Sequence, residues 1–526
     1  MASARRRPSR VRLAIALGAL VLLPPPAAGT PLDFLRVGDP VESELRILDL
    51  LDTRPLEPRI RLPHLGIRPL QPIEILGPGA PPESLGLART ISVVRIERAL
   101  ERDADSSFVR VPGRTSTPRL YAALVPGEQR FEASVGLAGA LDADDDVTRV
   151  RSGSGLHGRF AAEIANWLAH AHVTIAQIDH ARSFADPVVA NHDVIVYTDE
   201  TYLAYTAERA VWSAQFGRSR WHWGPGEQAS LVLSGTSAPL TAFVFRIRAA
   251  PLRADAIALS ATLAQTRGEQ LAAHRLEWQP HERLRLGLTE AARYRGNGWQ
   301  PLYVVGAIPY ILVQRLQVED ERDSLDALRN NILVGVDAAW RIADGTRVYG
   351  EWLVDDLHAR TASIPNKVAW QLGWEGVGTI GARRLTWGGE LTRLTRYVYT
   401  SFFGRAYEAQ GRPLGFPTGP DARRIRLRFA CDPSPDWQLG AIVTQTDKGE
   451  NDLDEPFVPG SPRVHSSRFE GVVERTREAE LGVRWWPAGG VAARLAGGWR
   501  WTENAGHVGG RDEDGPRGSF ELTLVR

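Results

Sequence analysis

From about residue 108 to its end this chain is written in short runs that alternate apolar with polar side chains, and a period of two leaves few folds open. Successive side chains on a strand point to opposite faces. In the run Arg424 to Phe429, Ile425, Leu427 and Phe429 share one face while Arg424, Arg426 and Arg428 share the other. The same alternation runs through Phe243 to Arg248, Arg283 to Leu288, Trp370 to Glu375 and Arg494 to Trp501. A soluble sandwich buries such an apolar face in a core, whereas a membrane barrel turns it to lipid and keeps the charges in its lumen. Repetition over most of the chain favours the barrel.

The N-terminus supports export. Arg5, Arg6, Arg7, Arg10 and Arg12 precede an apolar stretch from Leu13 to Leu23 and a small-residue exit through Ala27, Ala28 and Gly29, which predicts a secretory signal peptide over residues 1–29. No later stretch approaches the roughly twenty apolar residues of a membrane helix, so a mature chain that enters a bilayer must do so as strands closed into a barrel. No Cys sits at the cleavage site, so a lipoprotein anchor is not expected. A net charge of +1 gives no broad electrostatic footprint for nucleic acid. The single Cys431 cannot form an internal disulfide. Lys367 and Lys448 are the only lysines, so nearly all positive charge is guanidinium, which binds carboxylates and phosphates through two prongs.

Residues 30–104 read as a partly helical, Pro-rich periplasmic element. Asp39, Pro40 and Glu42 supply an N-cap acid, a first-turn proline and a capping-box glutamate, with Val41, Leu45 and Leu48 on one helical face. A second helix is expected over Ser84 to Glu101, after a stretch punctuated by prolines. Residues 105–526 form the barrel. Strands are expected at Phe131 to Leu137, Leu156 to Trp167, His192 to Tyr197 and Val211 to Phe216, with connectors at Asp142 to Asp146, Glu319 to Asp326, Lys448 to Pro462 and Asn504 to Gly518. At about ten residues per strand the region holds roughly sixteen to twenty strands. Trp340, Tyr349, Trp387, Tyr397, Trp437, Trp485 and Trp486 suit aromatic girdles. The last strand alternates through Phe520, Leu522 and Leu524 but ends on Val525 and Arg526 rather than on an aromatic.

The densest local signature is Gly217, Arg218, Ser219, Arg220, Trp221, His222, Trp223, Gly224, Pro225, Gly226, followed by Ser230 to Ser234; by itself it reads as a strand ending in a tight Gly-Pro-Gly turn with aromatics at the rim. Further on stand Tyr349 to Asp356, Pro365-Asn366-Lys367, and Pro413-Leu414-Gly415 running to Gly419-Pro420-Asp421. In this order and spacing the blocks, over roughly residues 200 to 445, resemble the Wzi-type capsule-assembly family of outer-membrane proteins. The resemblance implies an all-β fold, a transmembrane antiparallel barrel of about 18 strands with a small N-terminal helical element on the periplasmic side. It also implies a lectin-like, non-catalytic role in holding capsular polysaccharide at the surface of a Gram-negative cell. The runner-up is a porin or substrate-specific channel on similar strands.

Candidate glycan contacts are Arg218, Trp221, Trp223, Glu351, Asp355, Lys367, Arg424 and Arg426, because guanidinium groups pair with uronate carboxylates and aromatic faces stack on sugar rings. A structural reading competes: inward arginines such as Arg246, Arg248, Arg285, Arg484 and Arg500 can fill the wall as ladders with Glu277, Glu351, Glu375, Glu390, Glu480 and Glu521. Ser230 or Ser234 near His222 suggests a nucleophile with its base, but no third orienting residue is placed and no catalytic residue is assigned. Asp355, Asp356 and His358, or the run Asp142 to Asp146, offer oxygens for calcium, yet solvated acidic loops explain them as well. No metal or other cofactor is expected. The expected partners are surface polysaccharide and outer-membrane lipid, with the chain a monomer.

Overall fold

Period-two alternation needs strands long enough to cross an apolar belt and a partner on both edges of each. A computed structural model describes residues 34–51, 63–75, 86–100, 119–125, 129–144, 147–150, 154–177, 194–264, 267–320, 329–357, 365–460, 465–487 and 492–523. The signal-peptide reading lies outside them. Eighteen antiparallel strands meet both requirements: β1 Gln129–Asp144, β2 Ser154–Ile164, β3 Trp167–Gln177, β4 Val194–Thr206, β5 Trp212–Ser219, β6 Leu240–Ala249, β7 Ala254–Ala264, β8 Glu269–His281 and β9 Leu284–Arg295. The circuit continues through β10 Asn331–Ala343, β11 Thr346–Asp356, β12 Lys367–Ile380, β13 Arg383–Leu394, β14 Ala422–Ser434, β15 Trp437–Lys448, β16 Glu474–Trp485, β17 Ala492–Glu503 and β18 Glu513–Thr523. Pairing of Arg517 to Thr523 with Asp144 to Ala138 joins β18 to β1 and closes the barrel. A short strand, Arg119–Val125, adds a hairpin beside the start of β1.

The two faces separate as the alternation requires. Ile425, Leu427 and Phe429 are exposed on the outer wall, as are Leu372, Trp374, Leu495, Trp499 and Trp501. The intervening charges point inward and pair with one another: Arg275 with Glu277 on its own strand and with Asp337 of β10, and across adjacent strands Arg347 with Glu375 and Arg494 with Glu480 and Glu521. Trp340, Trp387, Trp437 and Trp485 are exposed as a girdle demands. Three other aromatics are not part of it. Tyr349 is buried in the lumen against Glu390, 2.7 Å away, Tyr397 is buried in a loop after β13, and Trp486 lies under the guanidinium groups of Arg95 and Arg484. Their spacing resembled that of girdle residues, but each has a polar or cationic partner inside.

Two connectors differ from expectation. Asp142 to Asp144 continue β1 and pair with β18 rather than forming a loop, because register to a neighbouring strand outweighs local acidity. The Asn504 to Gly518 connector is shorter, since β18 begins at Glu513. Short turns such as Ala165-Asn166, Glu282-Arg283, Asp344-Gly345 and Pro435-Asp436 mark one end, and long segments such as 220–239, 296–330, 395–421 and 449–473 mark the other. Short turns face the periplasm in such barrels, and the long loops face outward.

The helices sit in the short-turn mouth. Helix α1, Pro40–Leu50, starts as its sequence dictates: Asp39 Oδ1 accepts from Val41 N at 2.9 Å, and Glu42 reaches back to Gly38 N at 2.9 Å. Val41, Leu45 and Leu48 pack on Val93 and Ile96 of helix α2, Leu87–Leu100. The polar faces of the pair are pinned to the barrel. Glu44 accepts from Arg384 at 2.7 and 3.0 Å, Arg95 at 2.8 Å and Ser92 at 2.7 Å. Asp432 bridges Arg95 and Arg384. Asp49 takes Arg285 and Arg347, and Arg46 pairs with Glu375.

A luminal cap built by two motifs

The Gly-Pro-Gly block does not form a rim turn. Segment 220–239 folds into the lumen, where His222 and Trp223 pair with Arg68 and Ile67 as a two-residue ladder. Gly224 N donates to Gly66 O at 2.9 Å and Trp223 N to Leu233 O at 2.9 Å. Gly224 has φ +137°, and a Cβ at Gly226 would collide with Ala229 O and Gln371 Oε1, so glycine is required at both places. Trp221 and Trp223 are therefore core residues, packed with Leu231, Leu233, Tyr399, Leu414 and Phe416 against inward Leu259, Leu333 and Leu353 of the wall. The rim reading failed because a Trp-rich turn has the same composition on a rim and in a filled lumen.

The second block meets the first there. Ser234 N donates to Leu414 O at 2.8 Å, Tyr399 OH donates to Leu231 O, and Phe416 N donates to Tyr399 OH at 3.1 Å. Gly415 passes so close to Leu231 O that a side chain would not fit. Thus Leu231-Val232-Leu233 and Pro413-Leu414-Gly415, separated in sequence, are two sides of one contact. Asp421 then fastens the third loop: its carboxylate accepts from Glu470 N at 2.8 Å, while Lys448 Nζ donates to Pro420 O and Asn451 O.

Three expected contacts serve the same framework. Glu351 accepts from Ser230 Oγ at 2.8 Å and Leu231 N at 3.0 Å, Asp355 from Tyr399 N at 2.7 Å, and Lys367 Nζ donates to Thr400 O at 3.0 Å and pairs with Asp356 at 2.7 Å. Arg218 is separate from them. Its neighbours across the strand, Thr201 and Thr241, are exposed on the outer wall, so it stands on that face near the extracellular end. Arg424 and Arg426 line a cavity of about 720 Å³ between α1, the inward loop and the wall of β14 to β17. Eight arginines and five glutamates line that cavity, a surplus of three positive charges. Arg426 pairs with Glu227 at 3.2 Å. Arg424 makes only a 3.4 Å contact with Gln228 and has no carboxylate at ion-pair distance among the described residues.

Ser230 Oγ shares its single proton between Glu351 Oε1 and Trp223 O, and Ser234 Oγ bonds Thr236 Oγ1 at 2.7 Å, so both hydroxyls are engaged away from His222. Burial, with Arg68 and Arg46 nearby, holds the His222 imidazole well below its ordinary 6.5 and hence neutral. Among the described residues no three His, Cys, Asp or Glu side chains gather as a metal site. What the sequence did not reveal is the loop tip Phe402-Phe403: two exposed rings in edge contact at 5.4 Å, with Arg329 over Phe403.

The Wzi outer-membrane protein of Escherichia coli, involved in group 1 capsule assembly and described as a carbohydrate-binding β-barrel, matches this fold with a TM-score of 0.60 at 14% identity, covering 95% of this chain and 99% of that one. OprD of Pseudomonas aeruginosa reaches 0.42 at 11% identity over 80% of this chain and 98% of its own, and OccAB1 of Acinetobacter baumannii 0.45 at 8% over 75% and 95%. No curated protein sequence matches significantly. The capsule assembly protein Wzi family matches residues 127–514, which include both luminal motifs and barrel strands β1 to β17 with the first two residues of β18, and the chain belongs to that family.

Proposed function

We propose that this outer-membrane barrel retains capsular or other surface polysaccharide at the cell surface by binding alone. The observation that carries the reading is the interlocking of residues 220–239, 395–421, 449–460 and 465–473, whose hydrogen bonds tie the long loops to one another as a platform would require. The Phe402-Phe403 tip offers ring faces for sugar C–H surfaces, with Arg329 beside them for a carboxylate. Arg424 supplies a second cationic group in the cavity beneath. A deletion strain is expected to make glycan at its normal level but shed it into the medium, and Phe402→Ala with Phe403→Ala should reproduce much of that shedding with the barrel intact. Unchanged surface retention in both strains overturns the proposal.

The channel reading has one observation in its favour. Inward Arg494, Glu480, Arg500 and Glu478 on β16 and β17 keep a fifth to a third or more of their side chains exposed. Planar-bilayer conductance separates the two: a steady ohmic pore in the purified protein supports a channel, and a closed barrel supports the platform.

A further inference from the structure

Outward residues in the upper half of β7 to β9 are unlike the rest of the wall. Cross-strand pairing sets Ala258, His274, Glu290 and Val334 in one row and Phe243, Ser260, Ala272, Ala292 and Ile332 in the next, all on the face that carries exposed Leu276, Leu288 and Val336 one row below. His274 Nε2 lies 3.1 Å from Glu290 Oε2 on this outer face. They stand two rungs, or four residues, above the exposed girdle residue Trp278. At about 3.4 Å per residue and roughly 40° of tilt that is about 10 Å into an apolar belt about 25 Å tall. Two polar side chains, one of them a carboxyl, have to be shielded from hydrocarbon at that depth.

Residues 296–320 do the shielding from outside the barrel. Trp299 packs on outward Phe216 and Phe243. Helix α3, Pro301–Val305, crosses β7 and β8, and Gly306 passes so close to the Cβ atoms of Ala258 and His274 that a side chain would be crowded. Helix α4, Tyr310–Asp320, returns over β9. Its first residue caps the two: Tyr310 N donates to Glu290 Oε2 at 2.8 Å and the ring lies 4.4 Å from that of His274. Tyr294, Tyr303, Tyr310 and Val313 bury against Ala272 and Ala292, where small outward residues leave a notch for the helices.

The hairpin then presents a second apolar face away from the barrel. Leu302, Val305, Ile311, Leu312 and Leu316 are all exposed, and they continue the exposed belt of Leu276, Leu288 and Val336 sideways from the wall. We propose that Pro301 to Asp320 is a membrane-seated hairpin, with this face in the acyl chains of the outer leaflet and the His274–Glu290 pair sealed beneath it. Arg315, exposed on the same side of α4, has a stem long enough to carry its guanidinium up to the headgroup phosphates. The occupant is lipid because the face is continuous with a wall that already meets lipid, and its exposed charges among the described residues, Arg315 and Glu319, stand in the second half of α4 after the apolar Leu302, Val305, Ile311 and Leu312.

The test is spin-label accessibility in phosphatidylethanolamine–phosphatidylglycerol vesicles, on the full chain with Cys431→Ser to remove its single native thiol. Labels go at Leu312→Cys and Val305→Cys, with Leu288→Cys as a wall reference and Phe402→Cys as an extracellular reference. Folding of each variant is checked by heat-modifiable migration. The expected result is an oxygen-to-nickel-chelate accessibility ratio at both hairpin sites several-fold above Phe402 and close to Leu288. Nickel accessibility matching Phe402 overturns the proposal, and so does dipolar broadening at Leu312, which would seat a second copy of the chain on that face instead of lipid. Neither outcome depends on whether the barrel holds polysaccharide.

Discussion

Replacing Glu44 by Gln tests how the N-terminal helices are held. Glu44 is 5% exposed and accepts hydrogen bonds from Arg384, Arg95 and Ser92. Gln keeps the volume and one carbonyl oxygen but removes the charge, leaving two buried guanidinium groups to share Asp432. Breaking a buried ion pair by removing one partner costs about 3–5 kcal/mol. The helices connect to the barrel through separate contacts at Asp49 and Arg46, so the loss should appear as local opening of α1 and α2 and not as barrel melting. At about 1.4 kcal/mol per tenfold, the lower figure predicts that amide protection in α1 and α2 falls roughly a hundredfold. Hydrogen exchange read by mass spectrometry resolves this against peptides of β12 as an internal standard. Pairing Glu44→Gln with Arg384→Met should recover most of the protection, because an apolar replacement no longer leaves the second charge unpaired. Unchanged exchange in α1 and α2 of the single variant would refute the argument that this network fastens them.

The same carboxylate sets a pH dependence. Burial raises the Glu44 pKa, but Arg384 and Arg95 outweigh burial and hold it down to about 2, below its ordinary 4.5. A depressed folded value means its contribution is complete above pH 4.5 and is lost as pH falls toward about 2, so the wild-type excess protection over Glu44→Gln, corrected for intrinsic exchange, should vanish across that window. Gly226→Ala should destabilise the inward loop by about 1–3 kcal/mol, read as earlier protease cleavage within 220–239, because its Cβ meets backbone that cannot yield. Arg424→Gln should leave thermal stability within about 0.5 kcal/mol while weakening retention of an acidic glycan more than a neutral one; equal loss for both glycans counts against its role.

The architecture was legible because period two is enforced by physics at every strand: an outward charge in lipid or an inward leucine against an arginine ladder is costly wherever it occurs. The capping residues of α1 were legible for the same local reason. Interior placements were not. Trp223 and Trp437 have the same side chain, yet one is sealed in the lumen and the other faces lipid, and only the loop path distinguishes them. Glu351, Asp355 and Lys367 were visible as charges near loop ends, but their partners Ser230, Tyr399 and Thr400 lie 33 or more residues away, so the fastening role needed the fold. His274 and Glu290 sit on the outer wall in defiance of the alternation, and the hairpin that permits this is the physical compensation.

These placements separate two demands on the chain. Glycines at 224, 226 and 415 and the contact of Leu231 with Tyr399 fix loops to wall, and a change in any of them strains backbone or core irrespective of the glycan outside. Phe402 and Phe403 carry no such burden, since both rings are exposed and, among the described residues, neither belongs to a buried core cluster. A platform of this kind can keep its interior motifs and alter its tip without refolding. On the proposed function, exchanging only the exposed tips within 395–421 and 449–460 between two barrels of this family should carry glycan preference with them while leaving the luminal contacts of Ser234, Leu414 and Asp421 in place; unchanged preference would place discrimination elsewhere.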